Sequence, residues 1–251
     1  MTAERFSEGE ALRLITPLAD LLRAPFGPRD RQLVRGEGFL VLDRENFHAF
    51  GFAEKDGYCG WLDENSLGTA PAPTHFVASS GTHAYAEPRV QAAETLLPAG
   101  ALVTVTGSSG KFAATNLGHV AALHLRGIGN WLDDPVAVAE LFLGTPYLWG
   151  GNSRAGIDCS GLVQRALLAC GIACPGDSDL QQALGQEIPP ESPLQRGDLL
   201  FWRGHVALVV DQGHLIHANG QTMSVAGEGI AACIDRVLTQ DGGPVTHRRR
   251  L

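Results

Sequence analysis

The sequence predicts an α+β protein in which an N-terminal helical segment and two small β domains precede a domain that places helices before strands. Three observations predict it. Between residues 31 and 128 the chain is a series of short apolar-aromatic runs broken by Gly, Asp and Asn. At residues 156–171, "GIDCSGLVQRALLACG" has the apolar spacing of a helix, with Asp158 before it and Gly171 after it. Further on, "GDLLFWRG", "HVALVV" and "HLIHA" alternate like strands.

The elements follow in order. Residues 8–24 carry a helix-like period (Ala11, Leu14, Ile15, Leu18, Leu21, Leu22) interrupted by Pro17, so residues 1–30 are predicted to be a helical segment. "GFLVLD", "FHAFGFA" and "YCGWLD" read as strands of a small β-barrel over residues 31–72, closed by the break "PAPT". A second β domain is predicted over 73–128, with "TGSSGK" as a hairpin turn. The two β blocks are candidates for diverged copies of one module. The remainder, 129–251, is the mixed domain. Asp134-Pro135 opens a helix there, "DSDLQQALG" is a short helix, and "GEGIAACIDRVLTQDGG" is a late one.

Composition limits the function. The 251 residues exceed the usual size of one domain, and the net charge of −8 argues against nucleic acid as the partner. The compact basic run "HRRR" at 247–250 is too short to change that. No apolar window of about 18 residues exists, so neither a transmembrane helix nor a membrane partner is expected. No secretory signal is visible, and five cysteines form an odd set, so a reducing compartment, the cytoplasm, is expected.

The chemistry concentrates on Cys159. A helix N-terminus lowers a thiol pKa through its dipole and free N–H groups, and the same groups can hold an oxyanion. A base is then required. His48, His75, His83, His119 and His124 lie in the β blocks and read as surface or structural residues. His205 and His217 differ, because they flank the loop "DQG". A three-residue loop with Gly213 left-handed pairs Val210 with His214. His217 then falls opposite Ala207, on the face of His205 and within about 8 Å of it. Three plainer readings compete: Cys159 as a core thiol, a zinc site at Cys170-x3-Cys174, and the two histidines as satisfied strand residues. Taken with "DCSG" at a helix start, the nucleophile–base–orienter reading is preferred.

In this order, "PYLWGG", "DCSGLVQ", "RGDLLFW", "GHVALVV" and "LIHA" resemble the NlpC family of bacterial cell-wall cysteine peptidases, papain-like in catalytic order, over about residues 130–251. The resemblance implies Cys159 as nucleophile, His205 as base, His217 as its orienter and Tyr147 facing the nucleophile. "DGYCGWL" and "THFVAS" resemble the bacterial SH3-like domains attached to one branch of that family. That branch implies a γ-D-glutamyl-L-diamino-acid endopeptidase acting on murein tri- or tetrapeptides with a free N-terminal L-Ala, with no cofactor or metal. By similarity Trp149, Asp158, Ser160, Asp177 and Ser178 line the substrate site, with Glu37 and Tyr58 from the first β block. Carboxylates beside hydroxyls suit an α-ammonium. The chain departs from the branch at Gly176, where an arginine usually stands. A non-catalytic wall-peptide-binding protein and a thiol amidase or acyltransferase are the alternatives.

Overall fold

The computed structural model describes residues 8–240 and 242–251 and divides into two units, Met1–Asn130 and Trp131–Leu251. In the first unit a seven-stranded antiparallel sheet holds β1 (Glu10–Leu14), β2 (Leu18–Leu22), β3 (Arg29–Val34), β4 (Gly38–Glu45), β5 (His48–Ala53), β6 (Cys59–Asp63) and β7 (Leu67–Gly68), in the order β3-β2-β6-β5-β4-β1-β7. The helix predicted over 8–24 is therefore a pair of strands, and the part of the predicted helical segment before residue 8 lies outside the described residues. Pro17 removes a helix donor, and distant partners decide the outcome. Leu12 pairs with Phe39 in β4 and Ala19 with Leu33 in β3. Leu12, Leu14 and Leu21 enter the same core as Phe39, Val41 and Leu62. This β domain thus begins at Glu10 rather than at residue 31.

The second β domain contains β8 (His75–Val77), β9 (Gly81–Tyr85), β10 (Glu94–Pro98), β11 (Leu102–Val103), β12 (Val105–Ser109), β13 (Phe112–Thr115), β14 (Gly118–Ala121) and β15 (Leu125–Gly127). The turn within "TGSSGK" closes β12 on β13 with Ser109 opposite Phe112. The two β domains share a device. In each, a strand runs into one 3-10 turn, Glu64–Ser66 or Ala122–His124, and out into another short strand. Asp63 caps the first turn through its side chain, whereas Ala121 makes no side-chain cap on the second. The Leu102 N–H donates to the Arg35 carbonyl at 2.8 Å and joins the two.

In the second unit the elements are α1 (Pro135–Glu140), β16 (Asn152–Ser153), β17 (Gly156–Ile157), α2 (Cys159–Ala169), α3 (Ser178–Gln181), β18 (Gln186–Glu187), β19 (Leu199–Trp202), β20 (His205–Val209), β21 (His214–Asn219), β22 (Ser224–Gly229), α4 (Ile230–Thr239) and β23 (His247–Arg250). The sheet order is β18-β23-β19-β20-β21-β22. α2 packs against β20 and β21. Ile230 and Cys233 of α4 share a core with Leu200, Trp202, Ala207, Val209 and Leu215. The late helix starts at Ile230 rather than at 227, because residues up to Gly229 pair with β21. The basic run is structural: as β23 it pairs with β19, and Arg250 makes two hydrogen bonds, 2.8 and 2.7 Å, to the buried Asp198 carboxylate.

Candidate active site

The start of α2 explains the letters of "DCSG". Asp158 is the N-cap; its Oδ1 accepts from the Gly161 N–H at 2.7 Å and its Oδ2 from the Gly150 N–H at 2.8 Å. One carboxylate thus ties the helix start to the "PYLWGG" turn, where Gly150 sits at φ 69°. A Cβ at Gly161 would meet the Gly151 carbonyl at 2.7 Å and Asp158 Oδ1 at 2.9 Å, so this position requires glycine. Both oxygens of Asp158 are engaged by the chain's own backbone.

The hairpin carries the predicted register, with Leu208 opposite Ile216 and Val209 opposite Leu215. Gly213 is not left-handed as anticipated. Instead Asp211 Oδ1 accepts the N–H groups of Gly213 and His214 at 2.7 and 2.9 Å, and this side chain closes the loop. The register brings the imidazoles together, with His205 Nε2 2.9 Å from His217 Nδ1 and ring centroids 5.1 Å apart. Trp202, opposite His205 across the β19–β20 turn, lies 5.7 Å from it between centroids and is 1% exposed.

Cys159 meets this hairpin at its first residues. Backbone N–H groups of Val206, Ser160 and Cys159 itself point at the sulfur. Cys159 is 7% exposed, and the amides, together with the charge of Asp158, act on its sulfur within that enclosure. The thiol is not acidified as the helix start led one to expect. Burial, then the Asp158 charge, pushes it up to about 12 against the pull of the three amides. Burial lowers the basicity of both His205 and His217 below the ordinary imidazole value. The resting site is therefore a neutral thiol beside a neutral imidazole pair. Tyr147, raised to about 12 chiefly by burial, with Cys159 and the Asp158 carboxylate adding to it, keeps its O–H as a donor.

The Tyr147 backbone N–H is held by the Met223 carbonyl at 2.9 Å, and Trp149 is exposed in the same turn. Ser160 is buried, with its hydroxyl 3.3 Å from Asp158 Oδ1. Gln181 Nε2 donates to the carbonyls of Ser160 and Pro175, both at 3.0 Å, and fastens α3 to the nucleophile's helix. Ser178 is buried there, and Asp177, at the N-cap position, makes no side-chain capping bond. In the first unit, Glu37 is buried and paired with Lys55 at 2.8 Å, while its Oε2 accepts from the Val34 N–H at 3.0 Å. The Tyr58 hydroxyl donates to Asp30 at 3.1 Å, and Arg31 lies over its ring.

Sequence reasoning missed Glu228 and Arg236. Glu228 Oε2 stands 3.2 Å from His217 Nε2, and Arg236 grips Glu228 with two bonds of 2.9 and 2.7 Å. The signal that reveals Glu228 is the β21–β22 pairing. Leu215 lies opposite Glu228 and His217 opposite Ala226, which puts Glu228 diagonal to His217. His217, Glu228 and Cys233 form the one metal-like group of three among the described residues, with ligand atoms within 4.8 Å. Arg236, 3.7 Å from the Cys233 sulfur, already supplies the cation there.

Comparison with known proteins fits this geometry. The NlpC/P60 family model matches residues 144–235, a span holding Cys159, His205, His217 and Glu228. The chain carries an NlpC/P60 domain. The bacterial dipeptidyl-peptidase SH3 domain model matches residues 21–67. NlpC/P60 is a cysteine peptidase family. Over 101 residues, 37% of this chain and 30% of the relative, the sequence is 38% identical to the γ-D-glutamyl-L-lysine dipeptidyl-peptidase of Bacillus cereus. It is 39% identical to dipeptidyl-peptidase 6 of Lysinibacillus sphaericus over 87 residues, 35% of this chain and 32% of that one. The matched region thus spans about a third of these relatives' length. An NlpC/P60 family protein of Bacillus cereus shares the fold at a TM-score of 0.82 and 20% identity, covering 96% of this chain and 99% of that one.

Proposed function

We propose that the protein is a cysteine endopeptidase that hydrolyses the γ-D-Glu–diamino acid bond of murein peptides carrying a free N-terminal L-Ala, in cytoplasmic recycling of wall fragments. The observation that carries the reading is the meeting of Cys159, at the capped start of α2, with the hairpin that joins His205 to His217 at 2.9 Å. The printed names of the relatives, γ-D-glutamyl-L-lysine dipeptidyl-peptidase among them, support the choice of bond.

The chemistry follows from the neutral resting site. As substrate displaces water, the Cys159 S–H proton passes to His205 and the sulfur attacks the γ-carbonyl. The Cys159 N–H and the Tyr147 O–H receive the oxyanion. The His205 imidazolium returns its proton to the departing amine of the diamino acid, and water releases the acyl group. Asp177 and Ser178, fastened beside α2 by Gln181, suit the substrate ammonium by charge-assisted hydrogen bonds. The test is mass spectrometry of products from L-Ala-γ-D-Glu-diaminopimelate and its lysine counterpart, each with a free or an acetylated N-terminus. The free peptides are cut by the wild type and not by Cys159→Ala. An active C159A variant defeats the nucleophile assignment, and equal cleavage of acetylated peptide defeats ammonium recognition.

A further inference from the structure

Two imidazoles in contact pose a proton question. A neutral ring has one N–H and one bare nitrogen, so the His205 Nε2···His217 Nδ1 contact of 2.9 Å contains one proton, on one side or the other. If His217 Nδ1 holds it, His205 Nε2 is bare and the remaining nitrogen of His205, Nδ1, carries its hydrogen. The base is then blocked. What decides is the far side of His217. Its Nε2 is buried, with Glu228 Oε2 at 3.2 Å and no well-aligned hydrogen bond. Two Arg236 bonds keep Glu228 ionised, its carboxyl held below the usual range, so it is an acceptor only.

We infer that Glu228 is a positioning residue of this site: its carboxylate, braced by Arg236, draws the His217 proton to Nε2 and thereby leaves His205 Nδ1 bare to take the thiol proton. The chain of consequence is short. With its hydrogen on Nε2, His217 presents a bare Nδ1. His205 must then donate from Nε2, and its Nδ1 becomes the acceptor. When the Cys159 S–H bond breaks, the new N–H bond forms at His205 Nδ1, and the imidazolium stays hydrogen-bonded to His217. No proton reaches Glu228. The 3.2 Å contact, off the ideal hydrogen-bond line at rest, tightens as positive charge appears two rings away.

This inference rests on the reading of Cys159 and His205 as nucleophile and base. The charged or titratable groups acting on the pair are Glu228 on β22 and Arg236 on α4, with Cys233 of α4 beside His217. Cys159, under the charge of Asp158, meets the same hairpin at Val206. Glu228 favours the protonated imidazole and Arg236 disfavours it.

Two measurements decide. Nitrogen-15 NMR of wild-type histidine side chains near pH 7 should place the hydrogen of both His205 and His217 on Nε2. In kinetics on the free-amine tripeptide, Glu228→Gln should lower kcat/KM about tenfold or more and move the acid limb of the pH profile down. Arg236→Gln should move that limb up, and Glu228→Asp should recover part of the rate. Opposed limb shifts are not the mark of a merely structural role. A hydrogen on His217 Nδ1, or an E228Q variant with wild-type rate and limb, overturns the inference. If wild-type protein leaves the tripeptide uncut, the peptidase reading fails and the NMR result alone decides the tautomer.

Discussion

His205 Nε2 lies 2.9 Å from His217 Nδ1, and the second ring is fully enclosed while the first is partly exposed. An enclosed ring gives its neighbour a fixed direction, which is the task of the third member in thiol peptidases. His217→Ala should lower kcat about 100-fold with little change in KM, and His217→Asn should retain more activity because an amide can still accept from His205. Steady-state kinetics on the free-amine tripeptide checks both; equal losses in the two variants would count against orientation as the role.

Thiol labelling should follow the burial of Cys159 rather than its place at a helix start. With the thiol pushed up to about 12, iodoacetamide labelling at Cys159 should be slow at pH 6–7 and rise steadily above pH 8. Peptide mapping by mass spectrometry separates it from exposed Cys59, which should label first. Fast labelling of Cys159 at pH 6 would mean a preformed thiolate.

Acid should destabilise the second unit. Both imidazoles are lowered from the ordinary 6.5 by burial, so the unfolded chain takes up their protons before the native state does. This contribution is complete above about pH 6.5 and is lost as pH falls from there toward the lowered native values. Urea midpoints at pH 7.5, 6 and 5 should fall in that order, and His217→Asn should flatten the trend.

Asp158→Ala should cost about 2 kcal/mol, roughly half for the lost cap and half for the orphaned Gly150 N–H. Removal of its charge should also bring the Cys159 thiol down toward its ordinary value. Chemical denaturation reads the first effect, and the pH dependence of alkylation reads the second.

Lys55→Met should destabilise the first β domain by about 3 kcal/mol, because it strips the counter-charge from Glu37, a buried carboxylate. Thermal melts compared with the double variant Lys55→Met/Glu37→Gln test this; the double variant should be the more stable of the two.

The site was legible wherever a local signal carried it. Asp158 before Cys159 announced a capped helix, and the loop between Val210 and His214 set a face-sharing register that the backbone adopts. Elsewhere the cause is not local. Residues 10–22 read as helix because a leucine-rich stretch satisfies two periods at once, and only pairing with Phe39 and Leu33 chooses the strand. Glu228 and Arg236 stayed invisible because a strand and a helix bring them to His217 from either side of Gly229. The thiol was misjudged for a related reason: a helix start is visible in sequence, whereas the depth at which it is packed is not.

The indole of Trp202 is shielded from water against the ring of His205. Excited indole is quenched far more strongly by imidazolium than by neutral imidazole. The emission of this one tryptophan, followed as acid is added to a chain in which Trp61, Trp131 and Trp149 are replaced by phenylalanine, is therefore an optical report on the surroundings of the base, charging and acid unfolding together, free of substrate and of turnover.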